Sequence, residues 1–147
     1  MDEAEMRTME VLLIEDNPGD VFLTKKALSQ ANIDINVTVA PDGEAGLDLL
    51  SNALEKGDAN WPDIVLLDVN LPKKDGKQVL AEMKQSPDLK RIPVVILTSS
   101  SAEKDILQSY DLHANSYIIK PVNLEKFCAV ASVLENYWFC VVSRPKS

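Results

Sequence analysis

Apolar runs of strand length alternate along the chain with longer segments whose apolar positions recur at helical spacing. The runs are Val11–Ile14, Ile35–Val39, Ile64–Leu67, Val94–Leu97 and the short Tyr117–Ile119. The first, third and fourth are apolar throughout and rich in β-branched residues, as central parallel strands covered on both faces would be. The second alternates polar and apolar, which suits an edge. Between them the spacing predicts helices. Asp20–Ala31 places Val21, Thr24, Leu28 and Ala31 on one face, and Glu44–Leu54 does the same with Leu47, Leu50 and Leu54. Gly76–Gln85 and Glu103–Leu112 follow the third and fourth strands. The last segment, Asn123–Asn136, sets Leu124, Phe127, Ala131 and Leu134 at helical spacing behind Asn123 as N-cap. A (βα)5 alternation favours right-handed crossovers and a doubly wound parallel α/β sheet. The pattern leaves the strand order open.

Composition narrows the class. The 147 residues suit one domain, and 46% hydrophobic with 26% charged residues is an ordinary globular balance. A net charge of −8 argues against binding along a nucleic-acid backbone or an anionic membrane surface. No apolar run approaches the ~20 residues of a membrane span. The N-terminus, Met1-Asp2-Glu3-Ala4-Glu5-Met6, is acidic where a signal peptide is basic and apolar, so a cytoplasmic protein is expected. Two cysteines, Cys128 and Cys140, are too few for a disulfide scaffold and lack companion metal ligands, so they read as a packed thiol and a tail thiol.

Ligands of open parallel sheets collect at the carboxyl ends of the strands. There the chain carries Glu15-Asp16 after the first run, Asp68 after the third, Thr98-Ser99 after the fourth and Lys120-Pro121 after the fifth. One acid after a strand is ordinarily a turn former. Together these residues place three carboxylates, a hydroxyl and a lysine on one rim. Carboxylates that close repel one another, and an oxygen-only donor set calls for a hard divalent cation such as Mg2+. A carboxylate between a metal and a lysine is placed to attack a phosphoryl group, because both cations neutralise its oxygens in the transition state. Asp68, alone at the end of a central strand, is the candidate nucleophile.

The set Leu13-Ile14-Glu15-Asp16-Asn17, Leu67-Asp68-Val69-Asn70-Leu71-Pro72-Lys73-Lys74-Asp75-Gly76, Leu97-Thr98-Ser99 and Lys120-Pro121 closely resembles the receiver domains of two-component response regulators. Within that family, Asn17-Pro18-Gly19-Asp20, Asn70-Leu71-Pro72-Lys73-Lys74-Asp75-Gly76 and Asp111-Leu112-His113-Ala114-Asn115-Ser116-Tyr117 resemble the stand-alone regulators that serve cyanobacterial phytochromes. The resemblance spans residues 9–136, leaving an N-terminal extension at 1–8 and a tail at 137–147. It implies a flavodoxin-like fold with strand order 2-1-3-4-5. It also implies that Asp68 accepts a phosphoryl group from a histidine kinase, of phytochrome type by the narrower resemblance, with Mg2+ held by Glu15, Asp16, Asp68 and the backbone carbonyl of Asn70. Thr98 and Lys120 would bind phosphoryl oxygens, and the Lys120-Pro121 bond would be cis. Thr98 and Tyr117 would be the switch pair that relays phosphorylation to the surface of the fourth helix, fifth strand and fifth helix. Asn70 and Ser100 fall where the family tunes acyl-phosphate lifetime. Such a chain is a phosphoprotein of a phosphorelay and not an enzyme acting on other substrates.

The alternative is an aspartyl-nucleophile phosphatase of a doubly wound fold. Enzymes resembling haloacid dehalogenases need a second acid two residues after the nucleophile, where this chain has Asn70. A flavodoxin would need a hydroxyl- and glycine-rich phosphate loop in place of Glu15-Asp16-Asn17-Pro18-Gly19. The lone His113 and the basic stretch Lys73-Lys74-Asp75-Gly76-Lys77 read as surface features. The apolar cluster Tyr137-Trp138-Phe139 suggests a homodimer built on the fifth-helix face extended by the tail.

Overall fold

Strands and helices alternate throughout the computed structural model, which describes residues 8–56, 62–71, 74–109, 114 and 116–135, with side chains as far as Val133. The order is β1 (Thr8–Ile14), α1 (Pro18–Leu28), β2 (Asp34–Ala40), α2 (Gly43–Lys56), β3 (Ile64–Asp68), α3 (Gly76–Gln85), β4 (Val94–Thr98), α4 (Ser101–Ser109), β5 (Ser116–Ile119) and α5 (Leu124–Glu135). All strand pairs are parallel, in the order β2-β1-β3-β4-β5. This is the flavodoxin-like (βα)5 topology that the motifs imply.

Strand parity divides the core in two. Met9, Val11 and Leu13 of β1, with Leu66, Val95, Leu97 and Ile118, pack against Leu28 of α1 and Phe127 and Ala131 of α5. Leu12, Ile14, Val65, Leu67, Val94 and Ile96 face the other way, onto Leu50 of α2, Val79, Leu80 and Met83 of α3 and Leu107 of α4. β3 and β4, apolar up to their last residues Asp68 and Thr98, are buried at every position because both their faces are covered, whereas β2 alternates exposed and half-buried as far as the buried Ala40, as an edge strand does.

Element ends differ from the sequence expectation for local reasons. β1 begins at Thr8, within the segment expected as an extension. α1 begins at Pro18, where a proline loses nothing by lacking an N–H, and the Asn17 side chain caps it by accepting from the Asp20 N–H at 2.9 Å. Asn123 caps α5 as expected, its Oδ1 accepting from the Lys126 N–H at 2.8 Å. A 3-10 turn at Leu89–Arg91 is too short to leave a periodic signature. The apolar face of α2 narrows along its length: Leu50 is buried, but Leu54 is 38% exposed.

Cys128 packs in the α1/α5 core, but it is disulfide-bonded and not the free thiol expected of it. The chain's other cysteine, Cys140, lies outside the described residues, as do His113, Pro72, Lys73 and the tail from Asn136 onward. Among the described residues, no helix is long and apolar enough to cross a membrane.

Candidate functional site

Register brings the rim residues together. Ile14 pairs with Leu67, so Glu15 and Asp68 each stand one residue further along neighbouring strands. Asp68 pairs with Leu97 and Thr98 with Ile119, which sets Thr98 and Lys120 at the same edge. The Lys120 N–H donates to the Thr98 carbonyl at 2.7 Å, and the Lys120-Pro121 bond is cis.

Parity splits this rim as it splits the core. Glu15, Asp68 and Lys120 continue the positions of Leu13, Leu66 and Ile118, on the α1/α5 side. Thr98 continues Ile96, toward α4. The two groups have different partners accordingly. Lys120 Nζ lies 2.6 Å from Glu15 Oε1, 3.0 Å from Asp68 Oδ2 and 2.9 Å from Asp20 Oδ2 in the first turn of α1. The Thr98 hydroxyl donates instead to the Glu103 carboxylate at the start of α4. That carboxylate also accepts from the Ser99 N–H at 2.9 Å and from Asn70 Nδ2 at 3.3 Å.

The Asp68 carboxylate is held from both ends. Oδ1 accepts from the Asn70 N–H at 3.1 Å while Oδ2 receives Lys120. The loop after β3 folds back so that the Gly76 N–H donates to the Val69 carbonyl at 3.1 Å. A Cβ on Gly76 would stand 2.5 Å from the Asp68 carbonyl oxygen and 2.7 Å from Val69 Cα, so the loop requires glycine there.

Burial drives the electrostatics. Glu15 is 2% exposed, and desolvation, reinforced by Asp68 beside it, raises its carboxyl from 4.5 to about 7. Burial lowers the Lys120 ammonium, but the Glu15 carboxylate beside it and its hydrogen bonds to Asp20 and Asp68 outweigh that and raise it overall. Glu103 is held below its ordinary value, chiefly by the Thr98 hydroxyl and then by the Ser99 N–H.

Oxygens of Glu15, Asp16 and Asp68 lie within 4.8 Å of one another. Glu15 Oε1 is buried with no hydrogen-bond donor: Lys120 approaches it as a charge, outside hydrogen-bonding angles. Two buried acids, an exposed one and an unsatisfied oxygen form a donor set that fits a hard divalent cation.

A family model for the response regulator receiver domain matches residues 11–132. The chain belongs to that family. Response regulator Rcp1 of Synechocystis sp. is 43% identical over 135 residues, covering 92% of this chain and 92% of that protein. The bacteriophytochrome response regulator RtBRR superposes with a TM-score of 0.79 at 37% identity, covering 95% of this chain and 85% of that one. The Mn(2+)-bound form of Rcp1 superposes with a TM-score of 0.68 at 41% identity, over 94% of this chain and 99% of that one. This receiver is therefore related to phytochrome response regulators, and the phosphatase alternative is not favoured. The Asn70 side chain, where such a phosphatase needs an acid, is a hydrogen-bond donor to Glu103.

The sequence reading found the rim residues of this receiver but not two of their partners. Asp20 was legible only as part of the Asn17-Pro18-Gly19-Asp20 helix start. Glu103 has a local signal, Ser100-Ser101-Ala102-Glu103, the spacing of a capping box. Tyr117 is half-buried on β5 and packs against the core beneath α3 and α4. In the basic stretch, Lys74 is ion-paired with Glu82 at 2.6 Å, as a surface residue of the loop.

Proposed function

We propose that this chain is a phosphoacceptor of a two-component pathway in which Asp68 takes the phosphoryl group of a sensor histidine kinase. The observation that carries the reading is the placement of Asp68 Oδ2 3.0 Å from Lys120 Nζ within the Glu15, Asp16 and Asp68 carboxylate cluster. In the transfer, an Asp68 oxygen forms a bond to phosphorus as the nitrogen–phosphorus bond of phosphohistidine breaks. The electron pair leaves with the imidazole, which takes up a proton from solvent. Glu15, Asp16, Asp68 and the Asn70 carbonyl are the residues that would hold Mg2+. The metal supplies positive charge against the phosphoryl oxygens. Lys120 is already at Asp68 and meets a second oxygen by a short movement, while the Thr98 hydroxyl is the donor for a third. Thr98 and Tyr117 then bias the surface of α4, β5 and α5 between two arrangements.

The same reading makes the kinase phytochrome-type, by likeness to Rcp1 and RtBRR, and places the protein in the cytoplasm. Residues 9–136 form the receiver, which acts on no substrate but its own acyl phosphate and, with a net charge of −8, does not bind nucleic acid directly. Val133 is 81% exposed on α5, the apolar residues 137–139 follow it closely in the sequence, and the α5 face pairs with a second copy of the chain. A monomer by gel filtration with light scattering at tens of micromolar, unchanged by Trp138→Ala, would remove the dimer.

Incubation with Mg2+ and a small phosphodonor such as acetyl phosphate tests the acceptor. Label should enter the protein, be released by alkali as acyl phosphates are, and be absent from Asp68→Asn; undiminished labelling of that variant would overturn the assignment. Transfer from a panel of phosphorylated histidine kinases would then identify the partner.

A further inference from the structure

We propose that Glu103 is a positioning residue that competes with the phosphoryl group for the Thr98 hydroxyl, and so sets how readily Asp68 is phosphorylated. The inference rests on Asp68 being the acceptor. Its starting point is the direction of one hydroxyl. Thr98 is 1% exposed at the end of β4, and its Oγ1 donates to Glu103 Oε1, with the Ser100 carbonyl 3.4 Å away. Among the described residues it makes no hydrogen bond to Asp68. A hydroxyl has one proton to give. Binding a phosphoryl oxygen therefore requires Thr98 to give up the Glu103 carboxylate.

The Glu103 side chain goes beyond what a helix cap needs. Ser100 caps α4 in the usual way: its Oγ accepts from the Glu103 N–H at 3.1 Å, and its carbonyl accepts from the Lys104 N–H at 3.0 Å. In a capping box, the glutamate three residues on would return to the N–H of the cap residue itself. Glu103 instead reaches one residue further back, to the Ser99 N–H at 2.9 Å, and from there gathers the Thr98 hydroxyl and Asn70 Nδ2. One carboxylate thus binds the switch hydroxyl and the side chain two residues past Asp68, which brings the loops after β3 and β4 under one anion. Four donors converge on the Glu103 carboxylate, the Ser99 hydroxyl being the fourth at 3.4 Å, and a carboxylate holds a hydroxyl more strongly than a neutral acceptor does. The phosphoryl group is itself anionic, so the two acceptors compete on comparable terms. Phosphorylation wins the proton and frees Glu103, loosening the first turn of α4, the helix at the signalling surface.

Glu103→Gln tests this, because glutamine keeps the size of the side chain and removes the charge that holds Thr98. Initial rates of label uptake from acetyl phosphate with Mg2+ are compared for the parent chain, Glu103→Gln, Thr98→Val and the double variant. Glu103→Gln should label about 2- to 10-fold faster, the range that separates a charge-assisted from a neutral hydrogen bond. It should have no effect in the Thr98→Val background, as a double-mutant cycle through one shared bond demands. In the unphosphorylated Glu103→Gln chain, the Thr98 methyl and Ser99 amide resonances should move toward their positions in the phosphorylated parent. Equal acceleration with and without Thr98 would mean that only charge near the site matters, and would overturn the proposal. So would an unchanged rate, in Glu103→Gln and in Glu103→Ala alike. If the parent itself takes no label that Asp68→Asn abolishes, the acceptor assignment fails and the inference falls with it; a labelled parent with an unresponsive Glu103 overturns the inference alone.

Discussion

Asp20 and Lys120, one hundred residues apart in the chain, meet at 2.9 Å across the rim of the sheet. Lys120 thereby joins α1 to the ends of β1 and β3, since the same ammonium pairs with Glu15 and Asp68. It is the positive charge that offsets the buried acids Glu15 and Asp68, and its removal leaves Glu15 without a charge partner. Lys120→Met should therefore destabilise the protein in EDTA by roughly 1–3 kcal/mol, the cost of an uncompensated buried polar group, and Mg2+ should restore much of the loss. Urea unfolding with and without the metal measures both. A Lys120→Met loss of the same size in EDTA and in Mg2+ would contradict this account.

Mg2+ should stabilise the folded chain. A ligand that binds only the folded state at a hundred times its Kd contributes about 2.7 kcal/mol, or roughly 5–10 °C in Tm for a chain of this size. Asp16 is exposed and makes no hydrogen bond that orders the fold among the described residues, so Asp16→Asn should abolish the Mg2+ shift while leaving the metal-free Tm near that of the parent. Thermal melts across a Mg2+ titration read both quantities.

Metal-free stability should fall as pH rises. Glu15 has its carboxyl raised from 4.5 to about 7 by burial and by Asp68, so between those values the folded state binds more protons than the unfolded one. The slope of unfolding free energy with pH is then negative: the contribution is complete below about 4.5 and lost as pH passes through about 7, with an upper bound of about 3 kcal/mol. Urea midpoints in EDTA from pH 4.5 to 8 should show this decline, and Glu15→Gln should flatten it.

Gly76→Ala should cost about 1–3 kcal/mol through overpacking against backbone that has no room to yield. The added Cβ would meet the Asp68 carbonyl oxygen at 2.5 Å, so the substitution should also slow labelling of Asp68 by displacing the end of β3. Chemical unfolding and initial labelling rates, measured on the same preparation, check the pair of effects. A Gly76→Ala chain of unchanged stability would show that the turn admits a side chain.

Much of this protein is written locally. The apolar runs at Val11–Ile14, Ile64–Leu67 and Val94–Leu97 declare covered parallel strands, and the residues directly after them form the rim because strand ends in a parallel sheet share one edge. Periodicity depends only on near neighbours in the chain, so it survives without knowledge of the fold. Tertiary structure decided which rim residues touch. Strand register and parity turn Lys120 toward α1 and Thr98 toward α4, which makes Asp20 the partner of one and Glu103 of the other. The Asp20–Lys120 contact spans one hundred residues and Asn70–Glu103 spans 33, distances over which no sequence period operates. Helix packing against the sheet sets those contacts, and with them the ionisation of the buried acids.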